Sequence, residues 1–171
     1  MIKKLLLRTL LLSALALIAH AAPNFQGLWR FDPTASTALD GWTAIDLAIR
    51  VDGSRVALEH RMTWRDTKLT KTNVFDTATP GELRDFFRID QRHMAVYPAK
   101  DGVTRASAAW IDDGRTLRTE AIVPVEISQG ETHLRVTTEY RVSEDGGTLT
   151  VIELHSTRNR PLIYVFRKVA A

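Results

Sequence analysis

After Pro23 the apolar residues recur at every second position almost without interruption, and glycine-containing turns punctuate the pattern. Period two marks strands with one buried face, because successive side chains of an extended chain point to opposite sides. Asp52-Gly53, Asp113-Gly114 and Asp145-Gly146 each stand between two alternating runs, and Asp101-Gly102 is a weaker fourth case. Such dipeptides favour the left-handed backbone of tight hairpin turns. The alternation predicts strands near 25–31, 43–51, 55–65, 68–76, 93–98, 104–111, 116–127, 132–143, 147–157 and 161–168. Strands do not alternate with helices, which argues against a parallel sheet.

Turn parity assigns the faces. A two-residue turn at Asp52-Gly53 sets Ile49 opposite Val56, Leu47 opposite Leu58 and Ile45 opposite His60, apolar on apolar apart from the histidine. Asp113-Gly114 pairs Trp110 with Leu117 and Ala106 with Ala121. A three-residue loop at Glu144-Asp145-Gly146 puts Ser143 opposite Gly147 and aligns Leu134, Val136, Tyr140 and Val142 with Ile152 and Leu154; a one-residue slip would mix the faces. An Arg158-Asn159 turn sets Ile163 and Val165 opposite Leu154 and Ile152. One stretch breaks the alternation. Thr79-Pro80-Gly81-Glu82 has the form of a helix start, with Leu83, Phe86 and Phe87 at helical spacing. It predicts a short helix over 80–87, either a lid over a pocket or a fixed plug on the core.

Successive hairpins with one apolar face make a meander, and closure removes its exposed edges. The expected fold is all-β: a single antiparallel up-and-down barrel of about 8–10 strands with one short helix. Arg61, Arg105, Arg118, Glu139 and Arg141 fall on outward positions, where a lipid-facing barrel would need apolar side chains. The last strand is apolar on both faces, from Leu162 to Phe166. Its outer face asks for cover from the 80–87 helix or from a homodimer through residues 161–168.

The N-terminus reads as a separate element. Lys3, Lys4 and Arg8 precede or enter an apolar stretch, and Ala19-His20-Ala21 supplies small residues at cleavage-site spacing. Residues 1–21 are therefore expected to be a secretory signal peptide, with residues 22–171 the barrel domain and Ala22 the mature N-terminus. Those three cations account for the whole excess of 23 basic over 20 acidic residues, so the mature chain carries no net field for a phosphate backbone. Nucleic acid is not an expected partner. There is no cysteine, which excludes disulfides, thiolate metal sites and a lipid-attachment thiol. The expected location is a bacterial periplasm or the medium.

Phe25-Gln26-Gly27-Leu28-Trp29 places Gly-x-Trp in the first strand. With Asn24 through Asp32, Ser36, the Asp-Gly hairpins and the closing Tyr164-Val165-Phe166, it resembles lipocalin-like (calycin) barrels, in particular small secreted bacterial ones. The resemblance implies that an arginine after the last strand packs over the tryptophan and closes one barrel end. Arg167 holds the matching position, with Gly27 and Trp29 as its counterparts. The missing disulfide and the ten strands depart from the lipocalin pattern.

A two-residue turn at Asp66-Thr67 places Trp64 opposite Leu69, Met62 opposite Lys71 and His60 opposite Asn73. His60, Lys71 and Asn73 then face inward near Trp64, with Trp110 and Tyr140 as further inward aromatics. A few polar groups in an apolar cavity orient a small molecule, and Lys71 suits an anionic head group. A bulge in this hairpin would instead send Lys71 and Asn73 to solvent. His133 and His155 fall on the outward face as diagonal neighbours, with Glu153 beside them and no third metal ligand. No metal or cofactor is expected. Nucleophile-elbow, phosphate-loop, zinc-protease and dinucleotide motifs are all missing. The expected function is binding of a small, mainly apolar ligand, not catalysis. Two rivals stay open: an interaction module with a packed core, and a barrel-type isomerase or lyase using His60.

Overall fold

A computed structural model describes residues 24–127 and 130–170; the signal-peptide and cleavage-site expectations lie outside this span. The described residues form ten strands: β1 (Gly27–Phe31), β2 (Ala44–Asp52), β3 (Arg55–Trp64), β4 (Thr67–Asp76), β5 (Gly81–Arg84), β6 (Val103–Ile111), β7 (Thr116–Ile127), β8 (Gly130–Val142), β9 (Thr148–His155) and β10 (Leu162–Lys168). One short helix, α1 (Gln91–Met94), and a 3-10 turn at Pro33–Ala35 complete the elements. All strand pairs are antiparallel, in the order β4-β3-β2-β1-β10-β9-β8-β7-β6-β5. The last strand closes on the first, and the free edges β4 and β5 come side by side without a ladder between them. The result is a nearly closed up-and-down barrel.

Inward positions carry the core: Trp29, Leu47, Ile49, Val56, Leu58, Leu117 and Leu149 are almost wholly buried. Arg61, Arg105, Arg118 and Arg141 are exposed on the outside, as the alternation predicts. Several are tied into surface ion pairs, Arg61 with Glu59, Arg118 with Glu120 and Arg141 with Glu139. No helix among the described residues is long and apolar enough to cross a membrane.

The Asp113-Gly114 hairpin has the expected register, Trp110 opposite Leu117 and Ala106 opposite Ala121. Two other turns slide by two residues. Asp52 stays in its strand opposite Arg55, so Gly53 and Ser54 form the loop and Ile49 meets Leu58. Trp64 likewise pairs with Thr67, leaving Arg65 and Asp66 in the turn with Arg65 at φ 52°. Ile163 meets Ile152 rather than Leu154. A shift of two residues keeps parity, so the expected faces of β2, β3 and β4 survive.

The Glu144–Gly147 turn does not keep parity. Ser143 N–H donates to Thr148 O at 2.8 Å, closing a four-residue loop instead of three. Asp145 Oδ1 stabilises it, accepting from Gly147 N–H at 3.0 Å and from the Ser143 hydroxyl. Val142 therefore pairs with Leu149 and Tyr140 with Val151. The slip turns β9 over: Leu154 is 45% exposed, while Glu153 and His155 are buried inside. An inward carboxylate and imidazole replace the expected aliphatics.

The 80–87 helix is also corrected. Residues 81–84 are extended and pair with β6, Gly81 opposite Ala106 and Arg84 opposite Val103. The open edge of β6 supplies backbone partners that a short, glycine-weakened helix would lack. The helix lies instead at Gln91–Met94, overlapping the start of the stretch expected to be a strand at 93–98, of which one bridge remains, Pro98 to Val125. On β10, Tyr164 and Phe166 point into the core, and Ile163 is 40% exposed on the outer face.

Candidate functional site in the barrel interior

Between β5 and α1 the chain leaves the sheet and turns into the barrel. Phe86, Phe87 and Ile89 are buried there among the strand side chains. Asn73 on β4 holds the intruding segment with both ends of its amide, donating to Phe87 O at 2.7 Å and accepting from Phe87 N–H at 3.0 Å. This pairing satisfies backbone groups that would otherwise be buried without partners. The segment is bounded by two residues at positive φ, Asp85 at 56° and Ala95 at 53°.

The His60 ring lies 5.3 Å from that of Phe87, and Phe86 meets Phe75 edge-on at 6.4 Å. What remains open between them is a cavity of about 20 Å³, bordered by His60, Asn73, Phe87, Arg88, Tyr140 and Glu153. That is room for one water molecule. Burial pushes the imidazole of His60 down to about 4, and its Nδ1 has no hydrogen-bond partner among the described residues. Burial, then the nearby Glu153 carboxylate, pushes the Tyr140 phenol up from its usual value.

Next to this cavity lies a charged group that the barrel wall closes off from water. Arg88 Nε donates to Asp90 Oδ1 at 3.0 Å, and Arg88 Nη2 donates to Val96 O at 2.9 Å. His155 Nε2 is 2.8 Å from Glu153 Oε1 and 3.5 Å from Asp90 Oδ2. The Thr138 hydroxyl donates to Glu153 Oε2 at 3.4 Å. All four charged or ionisable residues are under 8% exposed. Arg88 Nη1, Asp90 Oδ2 and the Tyr164 hydroxyl have no hydrogen-bond partner among the described residues.

Of the residues singled out in the sequence, His60, Asn73 and Tyr140 meet at the cavity. Lys71 sits across the ladder from His60, half-buried. Trp64 is at the barrel mouth, where Arg92 of α1 stacks 3.5 Å from its ring centre and also reaches Trp42 at 5.8 Å. Trp110 packs edge-on against Phe25, 4.9 Å between ring centres. Trp29 is fully buried and donates its indole N–H to Phe25 O at 2.9 Å. The cation over it is Lys168, 4.9 Å from the ring centre and beside Gly27, not Arg167. Arg167 has the opposite parity, points outward, and pairs with Asp32 at 3.1 Å and Thr148 at 2.9 Å.

Sequence reasoning missed Arg88, Asp90, Glu153 and His155 as a group. Glu153 and His155 were assigned outward by the one-residue slip, and the exposed His133 is not the partner of His155. Arg88 and Asp90 sit at the boundary of two misassigned segments; the signal available was an Arg-x-Asp directly after two phenylalanines.

No family model matches the sequence, and neither does any curated protein. Solved structures do match in shape. Apo lipid binding protein 8 (LBP-8) from Caenorhabditis elegans aligns with a TM-score of 0.54 at 11% identity, over 85% of this chain and 95% of that one. Secretory abundant heat soluble protein 4 from Ramazzottius varieornatus aligns with a TM-score of 0.52 at 10% identity, over 88% and 97%. At such identity the likeness speaks to fold alone. Ten antiparallel strands wound into one nearly closed barrel, aligned with these proteins over most of its length, give this chain a lipocalin-like, calycin-type β-barrel fold.

Proposed function

We propose that this protein, exported and released from its signal peptide, binds a small, mainly apolar molecule with an anionic group inside the barrel. One observation carries the reading: the space at the centre of the sheet is filled by a segment that is not part of the sheet. Phe86, Phe87 and Ile89 occupy it, fastened to β4 by the Asn73 amide. Their withdrawal vacates on the order of 300 Å³, the lower end of small-molecule pockets. The vacated wall is largely aromatic and aliphatic, with His60, Asn73, Thr119, Thr138, Tyr140 and Glu153 as the polar groups that border it. Lys71, which makes no ion pair among the described residues, supplies the cation for an acidic head group. The nematode protein of similar fold is a lipid binding protein by name.

A second reading has its own observation. The 20 Å³ void means that the interior is packed as found, which suits an interaction module that needs no ligand. Titration of delipidated protein with oleate and with oleyl alcohol separates the two. Ligand binding requires micromolar affinity for both, with Lys71→Ala weakening oleate about 10- to 100-fold and leaving the alcohol unchanged, as loss of a charge-assisted hydrogen bond dictates. If neither molecule binds and Phe87 stays in place, the interaction module takes over. The isomerase reading gains nothing here, since His60 hydrogen-bonds to no carboxylate among the described residues.

A further inference from the structure

We propose that Asp90, Glu153 and His155 form a binding site for a divalent transition-metal ion of the zinc type. Each offers one ligand atom, and the three atoms lie within 4.8 Å of one another in a buried position. An imidazole nitrogen with two carboxylate oxygens is a donor set that zinc accepts.

The geometry goes beyond proximity. Ligand atoms bound at about 2.0–2.1 Å on a tetrahedral ion stand roughly 3.3 Å apart. His155 Nε2 lies 2.8 Å from Glu153 Oε1 and 3.5 Å from Asp90 Oδ2, on either side of that spacing. Each carboxylate has its second oxygen already held, Asp90 Oδ1 by Arg88 at 3.0 Å and Glu153 Oε2 by Thr138 at 3.4 Å. Such partners orient ligands in metal sites and leave one oxygen free on each.

The free oxygen of Asp90 is the independent observation. Asp90 is 0% exposed, and its Oδ2 points at the imidazole without a hydrogen-bond partner among the described residues. A single proton on His155 Nε2 goes to Glu153 and cannot also serve Asp90. Leaving a buried carboxylate oxygen bare is expensive, and an ion in place of that proton satisfies all three groups. Beside Glu153 a cavity of about 20 Å³ has room for one water. Asp90 belongs to the intruding segment and the other two ligands to β9, so the ion would tie that segment to the wall.

The test uses untagged protein stripped of metal and then supplied with Zn²⁺ or Co²⁺ in two arms, one native and one refolded from urea, because the site is closed to solvent. The expected result is one ion per chain retained through gel filtration, a raised Tm, and the intense visible bands of tetrahedral Co²⁺. Glu153→Gln and Asp90→Asn should each weaken binding at least about 100-fold. Failure of both arms to retain an ion, or folded variants that bind as tightly as the wild type, would overturn the proposal. Should the variants not fold, X-ray absorption on the wild-type zinc protein decides. One imidazole with oxygen donors supports the site, and any other set of protein ligands refutes it. Oleate binding is read separately, so either proposal can fail without the other.

Discussion

His60→Gln tests the interior most directly, because burial carries the protonation of this imidazole across an experimentally accessible pH range. The imidazole is 6% exposed, and burial lowers it from 6.5 to about 4. In the unfolded chain it takes up a proton as pH falls through 6.5; in the barrel it stays neutral until about 4. Stability is therefore unaffected by this group above 6.5, falls by up to about 1.4 kcal/mol per pH unit between 6.5 and 4, and levels off below. The two proton-binding curves differ by about 2 kcal/mol at pH 5 and about 3 kcal/mol near pH 4. Urea denaturation of both proteins near pH 7 and near pH 5 gives the number as a difference of differences. Asp32, Glu59, Asp76 and Asp145, all lowered by hydrogen bonds or ion pairs, lose stabilisation in acid too, but equally in both chains. The wild type should lose about 2 kcal/mol more than His60→Gln on acidification. Equal losses would mean that the imidazole reaches water, and the account of the packed interior would fall with it.

Other substitutions probe separate contacts. Trp29→Ala should cost about 3–5 kcal/mol in urea unfolding through the cavity it leaves. Lys168→Ala should cost about 0.5–2 kcal/mol through the lost cation–π contact, and Arg167→Ala under about 1 kcal/mol as the loss of an exposed pair; the reverse order would restore arginine as the closing residue. Asn73→Ala strips both hydrogen bonds from Phe87, so it should destabilise by about 2–4 kcal/mol and speed hydrogen exchange at 85–90 above the rest of the core. Tyr164→Phe removes an unpartnered hydroxyl and should leave metal-free protein unchanged or up to about 1 kcal/mol more stable, whereas a clear loss would reveal a partner for that group.

The barrel was legible in the sequence because period-two alternation survives errors in turn placement. Two hairpins shifted by two residues, yet Leu47, Leu58, Asn73 and Phe75 still face inward, since an even shift preserves the side of every residue. The site was not legible for the same reason in reverse. One extra residue in the Glu144–Gly147 loop moved Glu153 and His155 from outside to inside, and apolar Ile152 and Leu154 made the wrong register look better. Hydrophobic pattern cannot foresee buried ionisable groups, which depend on partners brought from elsewhere. Here the partners are Arg88 and Asp90, from a segment whose helix-start residues were pulled into strand pairing by the edge of β6. Lys168 and Arg167 exchanged roles through parity as well: Lys168 stands opposite Trp29 in the β1–β10 ladder, and Arg167 stands opposite Arg30.

That ladder is short, only Trp29–Lys168, Arg30–Arg167 and Phe31–Phe166, and it joins the first described strand to the last. Every other pairing links neighbours in sequence and can form while the rest of the chain is still disordered. Ring closure is different, since it brings together residues more than a hundred positions apart and meets the largest loop-closure entropy in the molecule. The barrel should thus assemble as two ribbons, β1 to β4 and β5 to β10, that zip together late. Breaking that ladder would leave two separate sheets, β1 to β4 and β5 to β10, with every hairpin intact.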